Sequence, residues 1–223
     1  MRRKPNAGAT ALRNRHVITF ADYQRMFRVI ASVLNSIDAK TPNACIFFSV
    51  AGAFLIEQVH KRPARPVAGA AFYRVDDATG FTIAFGRLFD DGVASDMEAF
   101  HCWIESDGIA IDLMAPLFQE SVASGGRSER VPRRMFQKPL AEASSSPYVL
   151  DKEGDFFLQR NSALEAEMMA NFLRRPSGGD LVNVCLHWYR RLPKTMQPIL
   201  KMASNDGSVR TIHLNQAELA GAW

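Results

Sequence analysis

From Ala21 to Ile37 the apolar residues Tyr23, Met26, Phe27, Ile30, Val33, Leu34 and Ile37 recur at three- and four-residue steps. That spacing predicts a helix over 21–37 with one apolar stripe. A connection over 36–42 leads into "TPNACIFFSVAGAFLIEQVH". Either Thr41 or Asn43 can cap the first amides there, and Pro42 suits a first turn, so Cys45 falls in the opening turn under both choices. Beyond it the run is apolar nearly all round, which predicts a helix buried among several neighbours and stopped by Pro63 and Pro66.

The pattern then changes period. "VAGAAFYRVDD", "GFTIAFGRLF", "AFHCWIE" and "IAIDLMA" are short runs rich in β-branched and aromatic residues, separated by Gly and Asp turns, and they predict an antiparallel meander. Residues 116–155, with "SGGR", "VPRR" and "SSSP", read as a long irregular excursion. "SALEAEMMANFLRR" and "DLVNVCLHWYRRL" predict two helices opened by Ser162 and Asp180 caps, the second closed by Pro193. "GSVRTIHL" suits a final strand, and 215–221 a short tail helix. Helices beside an antiparallel sheet make the expected fold class α+β. No repeat of 20 to 50 residues is present, which excludes a solenoid.

Composition narrows the function classes. A chain of 223 residues with 47% hydrophobic and 22% charged content suits one soluble globular domain. The net charge of +4 and pI near 9.1 raise the question of nucleic acid. Five cations (Arg2, Arg3, Lys4, Arg13, Arg15) and no acid occupy the first twenty residues, so subtracting +5 from +4 leaves the remainder at −1. The expected organisation is therefore a basic, poorly ordered arm over 1–18 and a single domain over 19–223, with no nucleic-acid surface on the body. No apolar run reaches the ~18 residues of a membrane span, and a cytoplasmic location is expected. Cys45, Cys102 and Cys185 are scattered and odd in number, with no paired CxxC, so neither a disulfide framework nor a zinc site is indicated.

What remains is a candidate nucleophile. Free amides and the positive dipole end of a helix start favour a thiolate, and Cys45 lies in such a turn. A cysteine nucleophile also needs an imidazole and a group to orient it. If Asp107-Gly108 form a two-residue turn, Ser106 opposes Ile109 and Trp103 opposes Asp112. His101, Trp103 and Asp112 then share one face, with His101 diagonal to Asp112, while Cys102 and Ile104 point the other way. A three-residue turn with a bulge at Gly108 would instead bring Asp112 beside Cys102, and spacing alone does not choose. Singly, each residue has a structural reading: a small buried hydrophobe, a hydrogen-bonded histidine, a strand-ending aspartate. Cys102 is assigned to the core.

A cysteine opening a buried helix, followed by "HCW" on one strand and "IDLMAP" on the next, resembles the core of transglutaminase-like and papain-like cysteine enzymes, including an uncharacterised bacterial branch of that superfamily. The resemblance spans about residues 41–116. It implies Cys45 as nucleophile, His101 as general base and acid, and Asp112 as orienter, on a helix packed against an antiparallel sheet with additional C-terminal helices. It implies a peptide, protein or small amide substrate, a thioester intermediate, and no cofactor or metal. The sequence departs from the papain-like pattern in lacking a glutamine shortly before the nucleophile and an aromatic directly after it. Asn43, with the Cys45 backbone N–H, is the candidate oxyanion donor, and Trp103 the candidate shield over the site. A non-catalytic binding protein on the same scaffold is the alternative. Cys185 and His187, two apart on a helix, face different ways and do not form a shared metal site.

Overall fold

The computed structural model describes residues 16–37, 39, 44–90, 92–190, 196–203 and 207–223. Thr41, Pro42, Asn43, Pro193 and the arm through residue 15, all singled out above, lie outside the described residues. Helix α1 (Phe20–Asn35) is capped by Thr19, whose side chain accepts from Asp22 N, and it buries Tyr23, Met26, Phe27, Ile30, Val33 and Leu34. Two residues expected in the arm belong to the domain instead: Val17 and Ile18 donate their amides to Oε1 of Gln137 at 2.8 and 3.1 Å, and Ile18 is buried. Helix α2 (Cys45–Leu55) begins after Ala44 without a side-chain cap and runs on as one π-helical turn, Ile56–His60. It stops at Lys61, whose backbone is left-handed (φ 57°), two residues before Pro63.

Six strands form the main sheet: β1 (Arg65–Asp76), β2 (Phe81–Phe85), β5 (His101–Ser106), β6 (Ile109–Asp112), β7 (Phe136–Pro139) and β8 (Phe156–Arg160). Between β2 and β5 lies a small hairpin, β3 (Arg87–Phe89) and β4 (Gly92–Ala94). The sheet is not the expected meander, because β1 serves three partners: residues 65–69 pair with β5, 71–76 with β2 and 69–73 with β8. A strand has two edges, and β8 overlaps β5 at Gly69 and β2 at 71–73. Strands β2 and β5 therefore meet end to end along one edge of β1, with β8 along the other. Gly69 allows this crossing: a Cβ there would meet the Gln159 carbonyl oxygen at 2.0 Å.

The two faces of the sheet carry separate cores. Cys102, Ile104, Ile111 and Leu113 pack under α1, α2 and the later helices α4 (Ser162–Leu173) and α5 (Pro176–Arg190). Gly52 lets α2 approach closely, since a Cβ there would meet Leu113 Cδ1 at 2.3 Å and Ile104 Cδ1 at 2.6 Å. Val67, Tyr73, Trp103, Phe118, Phe136 and Phe156 fill the opposite core. The stretch 116–155 is more ordered than expected, holding α3 (Phe118–Ser124) and β7, which extends the sheet beside β6. Three C-terminal expectations also change. Helix α4 is capped by Asn161, whose side chain accepts from Leu164 N, and α5 starts at Pro176 instead of Asp180. The final strand is β10 (Val209–His213), paired with β9 (Ile199–Ala203), and the tail is extended, not helical. Arg28 donates to Ala217 O at 2.9 Å, Ala220 N reaches Arg133 O, and Met135 bridges Ala222, which uses the tail's backbone groups outside any helix. Among the described residues no helix is long and apolar enough to cross a membrane.

Candidate active site

The hairpin joining β5 and β6 has the two-residue turn: Ser106 pairs with Ile109, Glu105 with Ala110 and Ile104 with Ile111. Asp107 and Gly108 both take positive φ (48° and 77°), as the tight hairpin turn requires. The bulged alternative is thereby excluded, and His101 and Asp112 fall diagonally on one face. His101 Nε2 lies 2.7 Å from Asp112 Oδ2, with both side chains 1% exposed. The second carboxylate oxygen accepts the Met114 amide at 2.8 Å. Asp112 is thus held from two directions, and Nδ1 of His101 is the ring nitrogen left for other work.

A third contact fixes the backbone beneath the carboxylate. Asp112 opposes Phe136 across β6 and β7, and the Tyr23 hydroxyl from α1 lies between them. It donates to Asp112 O and accepts from Phe136 N at 3.4 Å. Aromatic rings enclose the imidazole: Phe85 stacks on it with centroids 4.3 Å apart and planes 20° off parallel, and Tyr73 and Phe118 stand more nearly edge-on, each at 6.1 Å.

Cys45 opens α2 on the helix side of the sheet and His101 faces the opposite core. Both border one opening, because β5 begins at His101, at the seam where β2 has just ended. A cavity of about 530 Å³ opens at this seam, lined by Cys45, Phe85, Gly86, Met97, Glu98 and His101, among others. Cys45 is 6% exposed. Glu98 at the mouth is paired with Arg87 at 2.8 Å, and Arg87 also reaches Asp96 at 2.9 Å.

The surroundings move the Cys45 and His101 pKa values toward each other. Hydrogen bonding from the Cys102 thiol lowers the pKa of Cys45; burial opposes this, and the nearby His101 charge reinforces it. Cys102 itself is pushed far up, first by that hydrogen bond and then by burial, and stays a thiol. Burial alone would depress the His101 imidazole, but the charge and hydrogen bond of Asp112, with the Cys45 thiolate, outweigh it and raise the pKa above the ordinary histidine value. Tyr73 is raised well above a normal phenol, chiefly by burial and next by the Asp112 charge.

Two sequence-derived assignments change. Trp103 is 1% exposed inside the second core, donates through Nε1 to Glu105 Oε1 at 3.3 Å, and does not line the cavity, so it neither shields the site nor touches a substrate. Cys102 is buried in the core as expected but also bears on Cys45 directly, because neighbouring residues of β5 present the imidazole to one face and this thiol to the other. Sequence reasoning did not find Phe85, Tyr23 or the 97–100 segment. Tyr23 has no signal beyond its place in an apolar stripe, and Phe85 reaches His101 only through the end-to-end meeting of β2 and β5.

A family model described as "Protein of unknown function (DUF2026)" matches residues 19–223. A crystal structure described as that of genomics APC5867 is similar to this chain, with 37% sequence identity and a TM-score of 0.82 over 93% of this chain and 97% of that one. No curated protein gives a significant match. The matched region runs from the cap of α1 to the last residue, and the chain belongs to the DUF2026 family.

Proposed function

We propose that the protein is a cysteine hydrolase or acyl transferase acting on an amide through a thioester, on a core of the transglutaminase-like and papain-like kind. The observation that carries this reading is the buried His101, with Nε2 committed to Asp112 at 2.7 Å and the same ring sharing a cavity with the acidified Cys45. A helix packed on an antiparallel sheet, with the cysteine at the helix start, supports it further.

In this mechanism the Cys45 thiolate adds to the amide carbonyl carbon, and charge develops on the carbonyl oxygen beside the uncapped first turn of α2, where the Cys45 N–H is a candidate donor. The protonated Nδ1 of His101 then gives its proton to the leaving nitrogen as the C–N bond breaks, leaving a thioester and a neutral imidazole. Water or an incoming amine next gives a proton to Nδ1 while attacking the thioester, and the sulfur departs as thiolate. Water yields hydrolysis; an amine yields acyl transfer. Asp112 keeps the ring oriented and stabilises its cationic form throughout.

The test is alkylation of Cys45 by iodoacetamide across pH, followed at that residue by mass spectrometry. Activation predicts reaction well below the ordinary thiol pKa of about 8.5 and a loss of that advantage in His101→Ala. A profile like that of a model thiol, indifferent to His101→Ala, would remove the case for catalysis and leave the binding scaffold.

A further inference from the structure

The nucleophile's cavity does not end at Cys45. Met97 forms a wall of that cavity and also a wall of a second one, of about 370 Å³, whose floor begins at Ile46, the residue after Cys45. Met168 and Phe172 of α4 supply its apolar lining, and Phe172 is held against Phe47 of α2 with ring centroids 6.3 Å apart. Arg174 and Arg175, at the end of α4, close its far side. Among the described residues no acidic side chain lines this groove.

The state of those two arginines matters. Arg174 spends its donors on neutral groups, with Nε on Ala170 O at 3.2 Å and Nη2 on Asn171 Oδ1. Arg175 is exposed, and its guanidinium has no hydrogen-bond or ion-pair partner among the described residues. Elsewhere on the surface arginines do find carboxylates: Arg65 with Glu105, Arg87 with Asp96 and Glu98, Arg160 with Glu165. Two cations without a carboxylate partner among the described residues thus edge an apolar trough next to the cavity that holds Cys45. A guanidinium fork suits a carboxylate, and the trough suits an aliphatic or aromatic stem.

We propose that this groove is a substrate subsite, and that the amide taken by Cys45 carries an apolar segment ending in a carboxylate, as in an acidic peptide. This rests on Cys45 being the acceptor of the acyl group. Met97 is the gatepost between the two parts: the reacting carbonyl lies on the His101 side, and the apolar stem passes Met97 to reach Arg174 and Arg175.

The test compares two reagents at one sulfur, 6-maleimidohexanoate and N-hexylmaleimide, each rate at Cys45 being divided by its rate with glutathione. Thiolate reactivity cancels in that ratio, so the comparison reads the groove even if Cys45 proves unactivated and the catalytic reading fails on its own pH profile. The expected result is a preference for the carboxylate reagent of about fivefold, shrinking as salt is added. In the Arg174→Glu, Arg175→Glu double variant the preference should vanish or invert, and it should persist in the matching Lys variant. A ratio near one in the parent, or a preference that survives charge reversal, would overturn the proposal. So would failure of both reagents to reach Cys45, since the groove would then have no open path past Met97.

Discussion

Replacing Asp112 by Asn tests the central pair while keeping its shape. In the parent, Nε2 of His101 and the Met114 amide each address one carboxylate oxygen, at 2.7 and 2.8 Å. Asparagine offers a single oxygen, so one buried donor faces an NH₂ group, at a cost of about 1–3 kcal/mol in stability. The reactivity effect follows from the change in bond type. A hydrogen bond to a charged group is worth about 1.5–3 kcal/mol and a neutral one about 0.5–1.5, a difference of about 1–1.5 kcal/mol, or roughly one pKa unit. Burial already pulls His101 down, so without the carboxylate its pKa falls and the imidazole gives up its proton at a lower pH. A competing effect runs the other way, because the Asp112 charge itself disfavours the thiolate. The His101 charge acts on Cys45 more strongly than Asp112 does, so the net change makes the thiol less acidic, while the Cys102 hydrogen bond, the largest influence, is untouched. Alkylation of Cys45 in Asp112→Asn should therefore be about tenfold slower near about pH 6 and converge on the parent rate in alkali. Urea unfolding of the same variant checks that it is folded. Superimposable pH profiles for parent and variant would refute the argument that Asp112 acts through the imidazole.

Two further substitutions probe the frame. Tyr23→Phe removes the hydroxyl that bonds both Asp112 O and Phe136 N; a loss of about 1–3 kcal/mol in urea unfolding is expected, with slower Cys45 alkylation as the Asp112 backbone loosens. A variant as stable and reactive as the parent would show that this contact does not support the site. Gly69→Ala would drive a methyl to within 2.0 Å of the Gln159 carbonyl oxygen and within 3.0 Å of the Arg160 Cα, both backbone, so β8 must separate from β1. A fall in thermal midpoint corresponding to about 3 kcal/mol or more is expected, and an unchanged midpoint would contradict the two-edge account of β1.

What the sequence made legible was local. The hairpin between β5 and β6 is specified by two adjacent turn residues, so the sum of opposed positions placed His101 diagonal to Asp112 before any coordinates. Cys45 at a helix start followed from the change of pattern after Pro42. The α+β class followed from the switch of hydrophobic period. Non-local features were not legible. Strands β7 and β8 are "FQKP" and "FFLQR", too short and too polar to stand out within a Pro-, Ser- and Arg-rich stretch, and they become strands only because β6 and β1 offer free edges. Helix α5 extends through Ser177-Gly178-Gly179, residues of poor helix propensity, up to Pro176; the Asp180 cap signal was real chemistry overridden by context. Trp103 follows His101 by two residues and shares its face, but that face dips into the core one step along the strand, which burial decides and spacing does not.

The bridging phenol of Tyr23 has a dynamic consequence. It ties the first helix of the domain to the last peptide of β6, so any breathing motion that peels that helix away also unlatches the carboxylate behind the imidazole. The persistence of the assembled His101–Asp112 pair is then capped by the opening free energy of residues 20–35, a segment that touches neither side chain's hydrogen bond directly. By the same linkage, a ligand bound tightly beside Cys45 should slow amide exchange in that helix.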